Sequence, residues 1–134
     1  MLCINRYPQR YVDACRLAME AQLAAYREMS KAAGAKAASF EPLFFNNLAL
    51  VLDRCFVHRA RGAEGTDGNP LNEVRMLCNA ILENEGLMAA DKTIKYDAAK
   101  SVTKIALGQP VRLTEANFAP LSRAFFAEME KRFV

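Results

Sequence analysis

Apolar side chains recur along this 134-residue chain at helical spacing. Val12, Cys15, Met19, Leu23 and Tyr26 follow i, i+3, i+4 steps, which predicts a helix from about Arg10 to Ala33 with one buried stripe. Ala14, Ala18, Ala21 and Ala25 form a neighbouring strip of small side chains, where a second helix can come close. Gly34 is placed to end this helix in a left-handed conformation. A second helix begins near Pro42, a residue suited to the first helical position. Phe40 and Phe45 can close over its start. Its stripe is Phe44 or Phe45, Leu48, Leu52, Cys55 and Phe56, widened by Leu50 and Val51. As the most apolar helix, it is expected at the centre of the fold.

Residues 61–70 carry Gly62, Gly65 and Gly68 and read as a break, because glycine in a helix is costly. Asn69-Pro70 then supplies an N-cap and a first helical residue. The third helix runs to Asn84, with Leu71, Val74, Leu77, Cys78, Ile81 and Leu82 inside and Gly86 as its stop. Segment 87–113 is ambiguous. Residues 93–96 and 111–113 lean towards a two-stranded ribbon, while Asp97 can cap a short helix ending at Gly108, which is the favoured reading. A last helix opens at Thr114 and is expected to kink or restart at Asn117, because Pro120 removes a backbone bond. Its stripe is Phe118, Leu121, Phe125, Met129 and Phe133. The predicted fold is all-α: four main helices packed as a bundle-like single domain over 1–134, with a small helix or ribbon at about 87–113.

Composition agrees with that class. Ala, Leu and Met total 43 residues against 15 β-branched ones, and the former are the better helix formers. The net charge of +3 is too small to argue for nucleic acid, so no nucleic-acid partner is expected. No apolar run approaches the ~18–20 residues that cross a bilayer, so no membrane partner is expected either. The opening residues lack the basic-then-apolar layout of a secretory leader. Cys3, Cys15, Cys55 and Cys78 are never within four positions of one another, which excludes zinc-ribbon spacing. The expectation is a cytoplasmic protein with reduced thiols and with no metal or cofactor.

One stretch concentrates candidate chemistry. The second helix ends in Asp53-Arg54-Cys55-Phe56-Val57-His58-Arg59-Ala60-Arg61, a glycine-rich loop follows, and the third helix opens with Asn72-Glu73-Val74-Arg75. Arg54, His58, Arg61, Gly65, Gly68, Asn69 and Arg75 are the candidate ligand-binding residues. Arginine forks and the first amides of a helix suit a phosphate or carboxylate, and glycines let backbone approach it. A second reading of the same residues is structural: Glu64, Asp67 and Glu73 neutralise Arg59, Arg61 and Arg75. No phosphate-loop, calcium-loop or nucleophile-elbow motif is present. Asp53 and His58 lie on different faces of a helix. No catalytic residue is assigned.

The pairs Phe44-Phe45 and Phe125-Phe126 point about 100° apart on their helices, so one member of each is expected outside a small core. Phe44 and Phe126 are the interface candidates. The leading expectation is an all-α interaction or assembly domain that self-associates, a dimer being the simplest form. The alternative is a module or enzyme for a small anion at the loop between the second and third helices.

Overall fold

A computed structural model describes residues 2–134. Helix α1 spans Gln9–Ala33 and buries Val12, Cys15, Met19, Leu23 and Tyr26, the predicted stripe. Helix α2 spans Glu41–Cys55 and buries Phe45, Leu48, Ala49 and Leu52. Helix α4, Pro70–Glu83, starts on Asn69, whose side-chain oxygen accepts the amides of Leu71 and Asn72. Helix α5 spans Glu115–Phe133 and buries all five residues of its predicted stripe. The domain is all-α: α2 packs on α4 and α5, and α1 packs on α5. No helix among the described residues is long and apolar enough to cross a membrane.

Several elements differ from expectation, each for a local reason. Arg61–Glu64 forms a one-turn helix, α3, where a glycine-rich break was expected. Gly62 lies exposed in it, and the turn is held by the Glu64 side chain rather than by helix propensity. The helix expected between Asp97 and Gly108 is only a three-residue 3-10 turn, Ala98–Lys100. Side chains take the amides that would continue it. The Glu73 carboxylate accepts those of Val102 and Thr103, the Ser101 hydroxyl accepts that of Lys104, and Lys104 is left at a φ of 61°.

No ribbon joins 93–96 to 111–113. The bases of the excursion meet instead, at a bridge between Leu87 and Pro110, with Val111 N–H donating to the Gly86 carbonyl. Helix α5 runs unbroken through Pro120, because Pro120 falls near its start and Asn117 secures that turn by accepting the Thr114 amide.

The most enclosed helix is α4 rather than α2. Segment 86–113 folds over it, bringing Met88, Ile94 and Val111 into the core, so Leu71, Asn72, Glu73 and Val74 are buried in succession. Leu82 remains exposed beyond that cover. Aromatic rings fill the rest: Tyr7 meets Phe56 edge-on at 5.1 Å, and Phe125 meets Phe126 edge-on at 5.7 Å. Phe126 is therefore not a surface residue. It is 2% exposed and lies beneath the Arg16 guanidinium, so both phenylalanines of that pair belong to the core. Ala14, Ala18, Ala21 and Ala25 are all exposed, because α5 packs beside the buried stripe of α1 and leaves the alanine strip outward.

Candidate functional site

The candidate residues separate into two groups. Arg61, Gly65, Gly68, Asn69 and Arg75 build one cross-braced loop centred on Glu64, whose side chain has no solvent exposure. Glu64 accepts from Arg59 Nε at 3.1 Å and from an Arg75 terminal nitrogen at 2.5 Å, and Arg61 lies at 3.3 Å. Arg59 is equally buried. It also donates to the carbonyls of Phe56 and Leu71, and it stands 2.8 Å from Asp53. The Asn69 amide donates to the Glu64 carbonyl, while Asn72 bridges Arg61 to the carbonyls of Gly65 and Asp67. Arg132, arriving from α5, donates to the Glu64 carbonyl at 2.7 Å.

This arrangement uses the groups an anion would need. The guanidinium groups of Arg61 and Arg75 already face a carboxylate, and the first amides of α4 are taken by Asn69. Asp67 itself is held below the usual carboxylate range, first by the Asn69 hydrogen bond and then by Arg132. The glycines serve the same bracing. Gly65 has a φ of 78°, and a Cβ there would lie 2.9 Å from the Arg132 side chain. A Cβ on Gly68 would meet the Lys95 carbonyl at 3.1 Å. Gly68 thus permits close approach of residues 95–97, where a ligand had been expected, and Lys95 N–H donates to the Thr66 carbonyl.

Arg54 and His58 lie apart from that loop. Both line a cleft of about 500 Å³ between the end of α2 and the segment leading into α1. Ile4, Tyr7 and Val57 supply apolar wall, and Arg10 adds a third basic group. Tyr11 donates its hydroxyl to the Cys55 carbonyl, tying α1 to the end of α2. Burial pushes the Tyr11 phenol up to about 12 and the Cys55 thiol up to about 11, Cys15 adding to both. A thiol raised in this way is a poor nucleophile at neutral pH, which argues against a Cys55–His58 catalytic pair. Among the described residues, no group of three His, Cys, Asp or Glu side chains is placed to hold a metal ion.

A third feature is apolar and exposed. Phe40, Leu43 and Val51 on one side of α2 are 45%, 66% and 44% exposed, and Met29 of α1 lies beside them. Phe44 is half-buried there, stacked on Tyr26 at 5.4 Å. Two adjoining hollows of about 320 and 160 Å³ flank the Phe40–Phe44 ridge. Among the described residues, neither is lined by a charged side chain, and Gln22 and Asn47 are the only polar ones beyond the Tyr26 hydroxyl.

Sequence reasoning passed over most of this face, although Leu43, Asn47 and Val51 are spaced as a second stripe on α2. Arg10 carried no local signal, since its relation to Arg54 exists only once α1 and α2 are docked. No protein family, curated protein or solved structure matches this chain.

Proposed function

We propose that the protein is an interaction domain that self-associates through the α1–α2 face. The observation that carries this reading is the uncharged band of Met29, Phe40, Leu43, Phe44 and Val51 in a chain where one residue in four is charged. An exposed apolar patch of this kind on a single-chain protein often marks an interaction site. Leu2, Leu17, Leu82, Leu87 and Leu107 are also exposed, but none of them lines these two hollows.

The shape favours a second copy as the occupant. A two-fold interface needs a surface complementary to itself. Here the Phe40–Phe44 ridge stands beside the low strip of Ala21 and Ala25, so each copy's ridge can seat on the other's strip. The absence of charge on the face lets two molecules of net charge +3 meet without direct repulsion. Sedimentation velocity across concentration tests the reading. The expected result is a monomer–dimer equilibrium that Leu43→Glu shifts to monomer with the fold intact. A wild-type protein that sediments as monomer at every concentration refutes it.

The alternative, an anion site in the loop around Arg61 and Arg75, has less support, since those guanidinium groups already neutralise Glu64.

A further inference from the structure

Six of the eleven arginines have an acidic partner, and of the other five only Arg10 and Arg54 share a cleft. Arg16, Arg27, Arg59, Arg61, Arg75 and Arg132 each pair with at least one carboxylate. Arg10, Arg54 and His58 make no ion pair and no side-chain hydrogen bond among the described residues, yet all three line the cleft beside Tyr7 and Tyr11. Among the described residues, no Asp or Glu lines it. The nearest acidic residues in sequence are engaged elsewhere: Asp13 holds Arg16 and accepts from Gln9, and Asp53 faces Arg59.

The walls are held in place before any ligand arrives. Ile4 N–H donates to the His58 carbonyl at 2.7 Å, Ala60 N–H donates to the Ile4 carbonyl at 2.8 Å, and Tyr7 N–H donates to the Phe133 carbonyl at 2.7 Å. The Tyr11 hydroxyl fastens the first turn of α1 to the Cys55 carbonyl. The N-terminus of α1 opens on the same cleft: Pro8 provides no side-chain cap, and the first turn holds no acidic residue. Its partial positive charge adds to the charges of Arg10 and Arg54. The cleft, about 500 Å³ and broadly open to solvent, has room for a small molecule.

The geometry points to this cleft as a binding site for a small organic phosphate with an apolar body. Arg10 and Arg54 present forked donors to the phosphate, His58 lies beside them, and the body rests on Ile4, Val57 and the tyrosine rings. Pre-organised walls reduce the ordering cost that a mobile site would incur. The site is independent of the apolar α1–α2 face, so it stands whether or not the protein dimerises.

Phenyl phosphate is the probe, titrated against isotope-labelled protein and followed by amide NMR shifts, with inorganic phosphate and phenol as the two half-ligands. The expected result is a saturable shift confined to residues around 4–11 and 54–58. Each half-ligand binds at least tenfold more weakly than phenyl phosphate. The exposed changes Arg10→Gln and Arg54→Gln each weaken binding about tenfold, while Arg123→Gln, on α5 outside the cleft, leaves it unchanged. No saturable shift at this cleft overturns the proposal, as does full affinity in a protein carrying both Arg10→Gln and Arg54→Gln. Inorganic phosphate binding as tightly as phenyl phosphate overturns the apolar part of it.

Discussion

Glu64→Gln keeps the shape of a side chain with no solvent exposure but removes the charge that Arg59 faces. Arg59 is itself fully buried, so its guanidinium loses most of its compensation. Breaking a buried pair from one side costs ~3–5 kcal/mol, because the remaining charge stays out of water. Asp53 remains 2.8 Å from Arg59, with its own side chain 25% exposed, which places the expected loss near the lower figure. A further contribution comes from the new amide N–H group, which must point a donor at one of three arginines. With a urea slope of about 1.5 kcal/mol per molar for a domain of this size, the unfolding midpoint should fall by about 2 M. Equilibrium urea unfolding followed by circular dichroism gives the number directly. Arg75→Met is the control: its side chain is 26% exposed, so its loss should stay near ~1 kcal/mol. A midpoint for Glu64→Gln within about 0.5 M of wild type would refute the claim that a buried ion cluster holds the 61–75 loop together.

Other consequences follow from the same structure. Glu73→Gln turns one of the two carboxylate oxygens that accept the Val102 amide and the Thr103 amide and hydroxyl into a donor, so hydrogen exchange at 101–104 should speed up before the helices loosen. Asn69→Ala takes away the α4 cap and three donor contacts within the loop, and should cost ~2 kcal/mol in a thermal or urea melt, at the upper end for a cap. On the alkaline side, Tyr11 titrates at about 12 folded against 10.0 unfolded, and Cys55 at about 11 against 9.0. The folded protein binds these protons more tightly, so their contribution is complete below pH 9.0 and is lost as pH rises towards 12. Urea midpoints measured from neutral to alkaline pH should fall over that window, and less steeply in Tyr11→Phe.

The helices were legible because each signal was local. The Val12–Tyr26 stripe, the Asn69-Pro70 cap and the Phe118–Phe133 stripe needed only neighbouring residues to be read, and all three stand in the fold. The segment after α4 was misread because its conformation is decided by Glu73, a side chain roughly 30 positions away along the chain. Phe126 was misplaced because helical spacing says how far apart two neighbours point, but not that α1 and Phe56 at the end of α2 cover them both. The loop chemistry was visible as composition, and its two readings differed only in whether Glu64 turns inward. Nothing near Glu64 in sequence decides that. Arg75 and Arg132 reach it from α4 and α5, and tertiary packing alone brings them there.

The central claim is that the α1–α2 face of one copy seats on the same face of another. Isotope-filtered NMR on a sample mixing labelled and unlabelled protein reads contacts between copies and nothing else. The account predicts intermolecular signals from the Leu43 and Val51 methyl groups to Ala21, Ala25 and Met29, all of them lost in Leu43→Glu. A dimer whose intermolecular signals come from another surface, or a sample with no such signals at any concentration, would contradict it.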